Sequence, residues 1–378
     1  MNPIITTNDA LRRFCDELKQ SPVLFIDTEF LRERTYYATL CLVQLAGDKG
    51  EAHAVDALAH NIDLSPIYKL LGDNNILKIF HSGRQDLEIF VHHTRHVPSP
   101  IFDTQIAAMI LGLGEQIGYN ALIEHFLGTH ISKAQQFTDW SKRPLSDAQL
   151  RYALDDVRLL RDAYPKILDA LKHQERADWV AEESSHLLDV NLYHTRPEDA
   201  WLKIKKKDTR PRFLARLQTL AAWREKTAMR INKPRNMIVR DDCLHYLALS
   251  NPKTPNDVKE ARGAPKKMQW IEDMFNAIHT ANALPLEQCP HVKRSKAVSA
   301  YDDAVRDMLK LLQKMKAAEH NLTPRLLSNS DELLQLIHHN GNAPALHGWR
   351  YELFGKDALA LLKGEKSIVV HNGKPVIS

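Results

Sequence analysis

VLFIDTEF, residues 23–30, is the stretch on which the fold turns. It is entered through Ser21-Pro22, and its first four residues, Val23, Leu24, Phe25 and Ile26, are large and apolar. A short apolar run bounded by a Pro-containing turn reads as a buried strand. Asp27 and Glu29 follow two positions apart, so on a strand their side chains project from the same face. Two carboxylates on one face of a buried strand repel each other and lose hydration. They need a compensating cation, or a site that uses their perturbed chemistry. Taken alone, the pair is equally explained by a strand end that reaches solvent.

Working outward, Ala38–Ala46 and Ala52–Val55 read as two further strands, joined by a hairpin turn at 47–50. Ile76–His81 reads as a fourth strand and leads into a helix with Leu87, Phe90 and Val91 at helical spacing. Three strands in quick succession, then strand–helix alternation, predict an α/β domain with a mixed sheet. Ser146 and Gln149 have capping-box spacing ahead of Leu150, Ala153, Leu154, Val157 and Leu160, which predicts a long amphipathic helix.

Two more acids are placed by these elements. Asp86 falls in the first turn of the helix after the fourth strand, where an acid also suits the helix dipole. Tyr152 and Asp156 lie four apart on the long helix and share a face, whereas Asp155 points elsewhere. Asp103 is expected to cap the helix after it, and Asp147 to sit structurally in a first turn. His92, His93 and His96 read as solvated surface histidines and not as a metal set.

The basic stretch 201–212 (WLKIKKKDTRPR) marks a boundary, beyond which helices joined by Pro- and Asn-containing turns are expected. That part repeats itself at a spacing of 90 residues. Ala228, Pro234, Arg235, Asp241 and Leu244 fall on Ala318, Pro324, Arg325, Asp331 and Leu334, and Leu247 on Ile337. Matching identities in one helix phase point to a duplicated unit of helix, Pro-Arg turn, acidic cap and helix.

The 378 residues carry 51 Lys+Arg against 47 Asp+Glu, a net charge of +4 that permits nucleic-acid binding without demanding it. Cys15, Cys41, Cys243 and Cys289 are far apart, which argues against a zinc site or a disulfide framework and for a reducing cytoplasm. No secretory leader and no membrane-length apolar run is read.

Strand Asp-x-Glu, a later Asp opening a helix, and a late helix with Tyr-x-x-x-Asp form a specific ordered pattern. It resembles the DEDD exonuclease superfamily in its tyrosine-bearing branch, and within it the ribonuclease D family. The likeness runs from about Pro22 to Leu171 through VLFIDTEF, CLVQLA, KIFHSGRQDLEIF, FDTQIAA and FTDWSKRPLSDAQLRYALDD. The repeat is similar to the helicase-and-ribonuclease-D C-terminal (HRDC) domain. Its first copy is the clearer; in the second, Gln313 replaces Trp223 and Leu322 replaces Asn232.

The resemblance implies a ribonuclease-H-like exonuclease domain over residues 1–190, an HRDC domain over 210–290 and a divergent all-α copy over 291–378. It implies a 3′→5′ exoribonuclease that releases 5′-mononucleotides by a two-metal mechanism. Its expected substrates are transfer-RNA precursors and other small structured RNAs, with no obligate protein partner. Two divalent ions, Mg²⁺ by default with Mn²⁺ as the alternative, fit an oxygen-ligand set. On this resemblance Asp27 bridges both metals, and Glu29 and Asp156 hold the one that binds the attacking water. Asp86 supports the other, partly through water, and Tyr152 orients the nucleophile. Phe30 and Leu31 are candidates to press on the terminal base. Lys205, Lys206, Lys207, Arg230, Lys233, Arg235 and Arg240 are candidates to contact the RNA backbone. The competing readings are a proofreading-type DNA exonuclease and a catalytically inactive RNA-binding protein.

Overall fold

Val23–Leu31 forms the central strand of a six-stranded mixed sheet in the computed structural model, which describes residues 4–132, 135, 138–206, 208–291, 299–338 and 341–378. The strands are β1 (Ile4–Ile5), β2 (Val23–Leu31), β3 (Thr39–Ala46), β4 (His53–Asp56), β5 (Leu77–Phe80) and β6 (Ile101–Asp103), in the order β1-β4-β3-β2-β5-β6. β2 pairs antiparallel with β3, placing Asp27 opposite Gln44 and Glu29 opposite Leu42. It pairs parallel with β5, but only over Val23, Leu24 and Phe25. The acids therefore lie beyond the reach of β5, at the open carboxyl end of the parallel strands, where α/β sheets leave a crevice. The expected four strands are present. β1 and β6, two and three residues long, were too short to show a period.

The sheet is covered on both faces. Leu24 and Ile26 point to one core with α1 (Asn8–Leu18), α2 (Ser65–Leu71) and α3 (Arg84–Thr94). Phe25 points to the other, with α4 (Thr104–Ile110), α5 (Tyr119–Leu127) and α6 (Asp147–His173). The side chains of Asp27 and Glu29 alternate onto the α6 face with Phe25. α6 starts where expected, at a capping box in which Ser146 and Gln149 satisfy each other's backbone donors.

After α7 (Ala177–Ser185) come α8 (Pro211–Ile231), α9 (Arg235–Ile238), α10 (Asp241–Ser250), α11 (Pro255–Lys259) and α12 (Met268–Ala283), built around their own core of Phe213, Leu217, Leu244 and Ile271. The second copy repeats the order as α13 (Ala300–Glu319), α14 (Pro324–Leu327) and α15 (Ser330–Ile337).

Two features depart from the sequence reading. The second copy shares one continuous core with the α6 face of the nuclease sheet, through Leu309, Leu312 and Trp349. Trp179 stacks on Trp349 with ring centroids 4.6 Å apart, and Arg176 reaches the carbonyls of Ile110 and His320. Gly112 has φ +83°, and a Cβ there would overlap the Asn321 carbonyl, so only glycine allows this approach. The segment expected to be all-α also ends in a β-hairpin, Ile368–His371 paired with Lys374–Ile377. Its signal was Asn372-Gly373, both at positive φ, between two runs of strand formers.

Candidate active site

Three carboxylates meet although two come from β2 and the third from a helix more than a hundred residues later. Ligand atoms of Asp27, Glu29 and Asp156 all lie within 4.8 Å of one another. They line a cavity of about 210 Å³ together with Tyr152, Tyr119 and His81. The placement follows from local rules. The capping box fixes the start of α6, and Leu154, Val157 and Leu160 turn one stripe into the core. Tyr152 and Asp156 then reach the cavity from adjacent turns. The Tyr119 hydroxyl donates toward the backbone carbonyls of Asp155 and Asp156, 2.8 Å from each, and anchors that turn.

The electrostatics are those of acids crowded without a counter-charge. Burial holds the Asp27 carboxyl well above its usual range, and Asp156, Asp86 and Glu29 push it further. Burial, then Asp156 and Asp86, raise Glu29 to about 9. Burial and Asp155 raise Asp156 to about 8. Among the described residues no Lys or Arg lines the cavity. Three half-buried carboxyls with all-oxygen donors suit a hard divalent ion, which would remove the repulsion and restore the charged forms. The donor set therefore fits the expected metals. Burial and Asp156 also raise the Tyr152 phenol, so it stays neutral and protonated at physiological pH.

Asp86 departs from the simple expectation. It is buried in the first turn of α3 and accepts a hydrogen bond from the Thr28 hydroxyl, on the sheet face opposite Asp27. It acts on Asp27 and Glu29 through charge and lies outside the three-carboxylate cluster. Burial raises it to about 7, with the Thr28 hydrogen bond pulling the other way. Asp103 caps α4 through the Gln105 amide, as expected, and also accepts from the amides of Ser82 and Gly83. It thereby fixes the tight turn that delivers Asp86.

Of the residues proposed to touch RNA, Leu31 packs on the α6 face and shares it with the acids, whereas Phe30 packs into the α1–α3 core. Lys205, Arg230, Lys233 and Arg240 are exposed. Lys206 folds over the Trp201 ring at 5.0 Å, and Lys207 lies outside the described residues. Arg235 is committed to an ion pair with buried Glu225, at 2.9 Å. His92 is not a free surface side chain: it stacks on Tyr37, with centroids 3.8 Å apart. His81 and Tyr119 were missed. His81 stands in the quoted KIFHSGRQD motif, five residues before Asp86, and could have been found there. Tyr119 carries no local signal, since only the tertiary fold brings it to α6.

Comparison with known proteins gives one answer. Residues 2–172 match the family described as 3′-5′ exonuclease, and residues 213–278 match the HRDC domain. The chain is 42% identical to a ribonuclease D of Zymomonas mobilis over 382 aligned positions, covering 99% of this chain and 97% of that one. It is 41% identical to a ribonuclease D of Sphingobium indicum, covering 99% and 98%. The crystal structure of Escherichia coli RNase D, described as an exoribonuclease involved in structured RNA processing, superposes with a TM-score of 0.84 at 28% identity, covering 97% of this chain and 99% of that one.

Proposed function

Since the chain belongs to the ribonuclease D family and is a metal-dependent 3′→5′ exoribonuclease, we propose that Asp27, Glu29 and Asp156 hold its catalytic metal ions, with Asp86 in support. The observation that carries this reading is the meeting of the three carboxylates beside Tyr152. Divalent ions held there supply an acidified water and neutralise charge on the leaving 3′-oxygen. Asp27, whose carboxyl is pushed up by burial and by Asp156, Asp86 and Glu29 together, would be the central acid in holding them. Tyr152, a neutral phenol, orients the nucleophilic water and does not remove its proton. Tyr119 holds the backbone of Asp156, and Leu31 offers an apolar edge on the acid face for the terminal base.

Mg²⁺ is the proposed ion, because a small all-carboxylate set suits a cation that keeps several waters. The proposed substrates are transfer-RNA precursors and small structured RNAs, in line with the structured-RNA processing described for the Escherichia coli protein. The exposed cations Lys205, Arg230, Lys233 and Arg240 are proposed to contact phosphates. The four free, buried cysteines suit action in a reducing cytoplasm. The DNA-proofreading and inactive readings are not favoured: the relatives are ribonucleases and every acid of the motif is present.

The test is degradation of RNA and DNA strands labelled at either end, with Mg²⁺ and with EDTA. The expected result is release of labelled mononucleotide first from the 3′ end of RNA, abolished by EDTA. Release from the 5′ end, or turnover indifferent to chelation, would overturn the reading.

A further inference from the structure

The connection between β2 and β3, residues 32–38, begins directly beyond the acid-bearing end of β2. It is held from two sides. On the nuclease side, Arg32 pairs with Glu88 of α3, and Tyr37 stacks on His92 of the same helix. On the other side stands the first helical unit. Asn232 offers one side-chain oxygen to the amides of both Tyr36 and Tyr37, 3.0 Å from each. The Tyr36 hydroxyl donates to Glu225, and Arg235 pairs with Glu225 and lies over the Tyr36 ring at 5.8 Å.

Glu225 is fully buried in α8. A buried carboxylate costs several kcal/mol unless it is paired and hydrogen-bonded, so this position makes sense only with Tyr36 and Arg235 in place. The repeat supplies an internal comparison. Ninety residues on, Met315 stands for Glu225 and Leu322 for Asn232, while Arg325 keeps the arginine. Arg325 makes a loose ion pair with Glu115, at 3.7 Å. The copy that does not meet the connection keeps the helical order and lacks the two acceptors.

A phosphate site is the obvious competitor, since a cavity here is lined by Arg32, Lys203, Arg224 and Arg235. Arg32 is paired with Glu88, Arg224 with Asp241 and Arg235 with Glu225. That leaves Lys203 as the one cation of the four without an acidic partner among the described residues. The cluster is built to bind protein.

We infer that the first helical unit positions the nuclease site: Asn232, Glu225 and Arg235 latch the 32–38 connection at Tyr36 and thereby fix the end of β2 that carries Asp27 and Glu29. The inference rests on the assignment of those acids as metal ligands. These latch residues are positioning residues and touch neither substrate nor metal.

The test uses the full chain. Asn232→Gly keeps the left-handed backbone at φ 48° and removes only the shared acceptor. Tyr36→Phe removes only the hydroxyl. The substrate is a 5′-phosphorylated diribonucleotide, whose single phosphodiester draws on no phosphate contacts along a longer strand. Each variant is expected to lose about ten-fold in kcat with KM changed less than about two-fold, as for a misplaced catalytic group. Amide hydrogen exchange over 29–38 in the metal-free protein is expected to speed up. Unchanged kcat and unchanged exchange in both variants would overturn the latch. So would a defect confined to KM on long RNA, which would give the cluster to RNA binding. An Asp27→Asn protein that keeps wild-type metal-dependent turnover would instead overturn the ligand assignment, so the two failures are distinguishable.

Discussion

Asp27, Glu29 and Asp156 are costly residues to bury together, and the cost has a measurable sign. In the metal-free fold Glu29 is raised to about 9 and Asp156 to about 8, from an unfolded range near 4. Between those limits the folded chain holds protons that the unfolded chain has released, so stability falls as pH rises through the window. Thermal unfolding in EDTA should therefore show Tm declining from pH 5 to pH 9, and less steeply in Asp156→Asn. A divalent ion displaces the same protons, so its apparent affinity should rise with pH. An equal decline in the variant would show that these groups do not carry the effect. Asp86 is the instructive single residue: the motif placed it in the right turn of the right helix, and Thr28 decides where its carboxylate points. No sequence period encodes that choice.

At the scale of elements, the sequence was most informative where one rule dominated. The Asp-x-Glu strand, the capping box of α6 and the Tyr-x-x-x-Asp face each follow from a period or a cap read locally, and together they placed four of the five motif residues around one cavity. Strands of two or three residues, β1 and β6, show no period and were invisible. The C-terminal hairpin was legible in Asn372-Gly373 but was read as part of a helical tail. Tyr119 joins the cavity through contacts made between elements, which local pattern does not carry, whereas His81 stands in the KIFHSGRQD motif and was legible there. Asp103 shows how a cap can serve two elements, since it caps α4 and also holds the turn before α3. Asp103→Ala leaves those amides without their acceptor and should cost about 2 kcal/mol of stability. Activity should fall with it, because the turn that carries Asp86 loosens. A change in chemical-denaturation midpoint checks the first effect, and turnover of the folded variant checks the second. Full stability would show that water or a neighbour replaces the carboxylate.

For the whole molecule, the two helical units of like element order dock in two ways. The first copy keeps its own core and meets the nuclease domain through polar contacts at Tyr36; the second is fused to the nuclease core through Leu309, Leu312 and Trp349. The repeat was readable from residue identities at one spacing, but the docking surfaces lie on the positions that differ between copies, such as Glu225 and Met315. Removing everything beyond about residue 210 would therefore strip cover from the nuclease core as well as cations from the surface. RNA affinity is better tested in the intact chain. Replacing exposed Arg230, Lys233 and Arg240 by Ala should lower the slope of log affinity against log salt by about 2, at ~0.7 per phosphate contact on a single strand. Turnover at saturating RNA should be retained. An unchanged slope would place the RNA elsewhere.

The central claim is that acids from two distant parts of the chain form one metal site, and Mn²⁺ binding measured calorimetrically without substrate tests it most directly. Wild-type protein should bind Mn²⁺ with proton release, and Asp27→Asn should lose that binding while keeping its fold by circular dichroism. A folded Asp27→Asn protein that binds Mn²⁺ with wild-type stoichiometry and affinity would contradict the account.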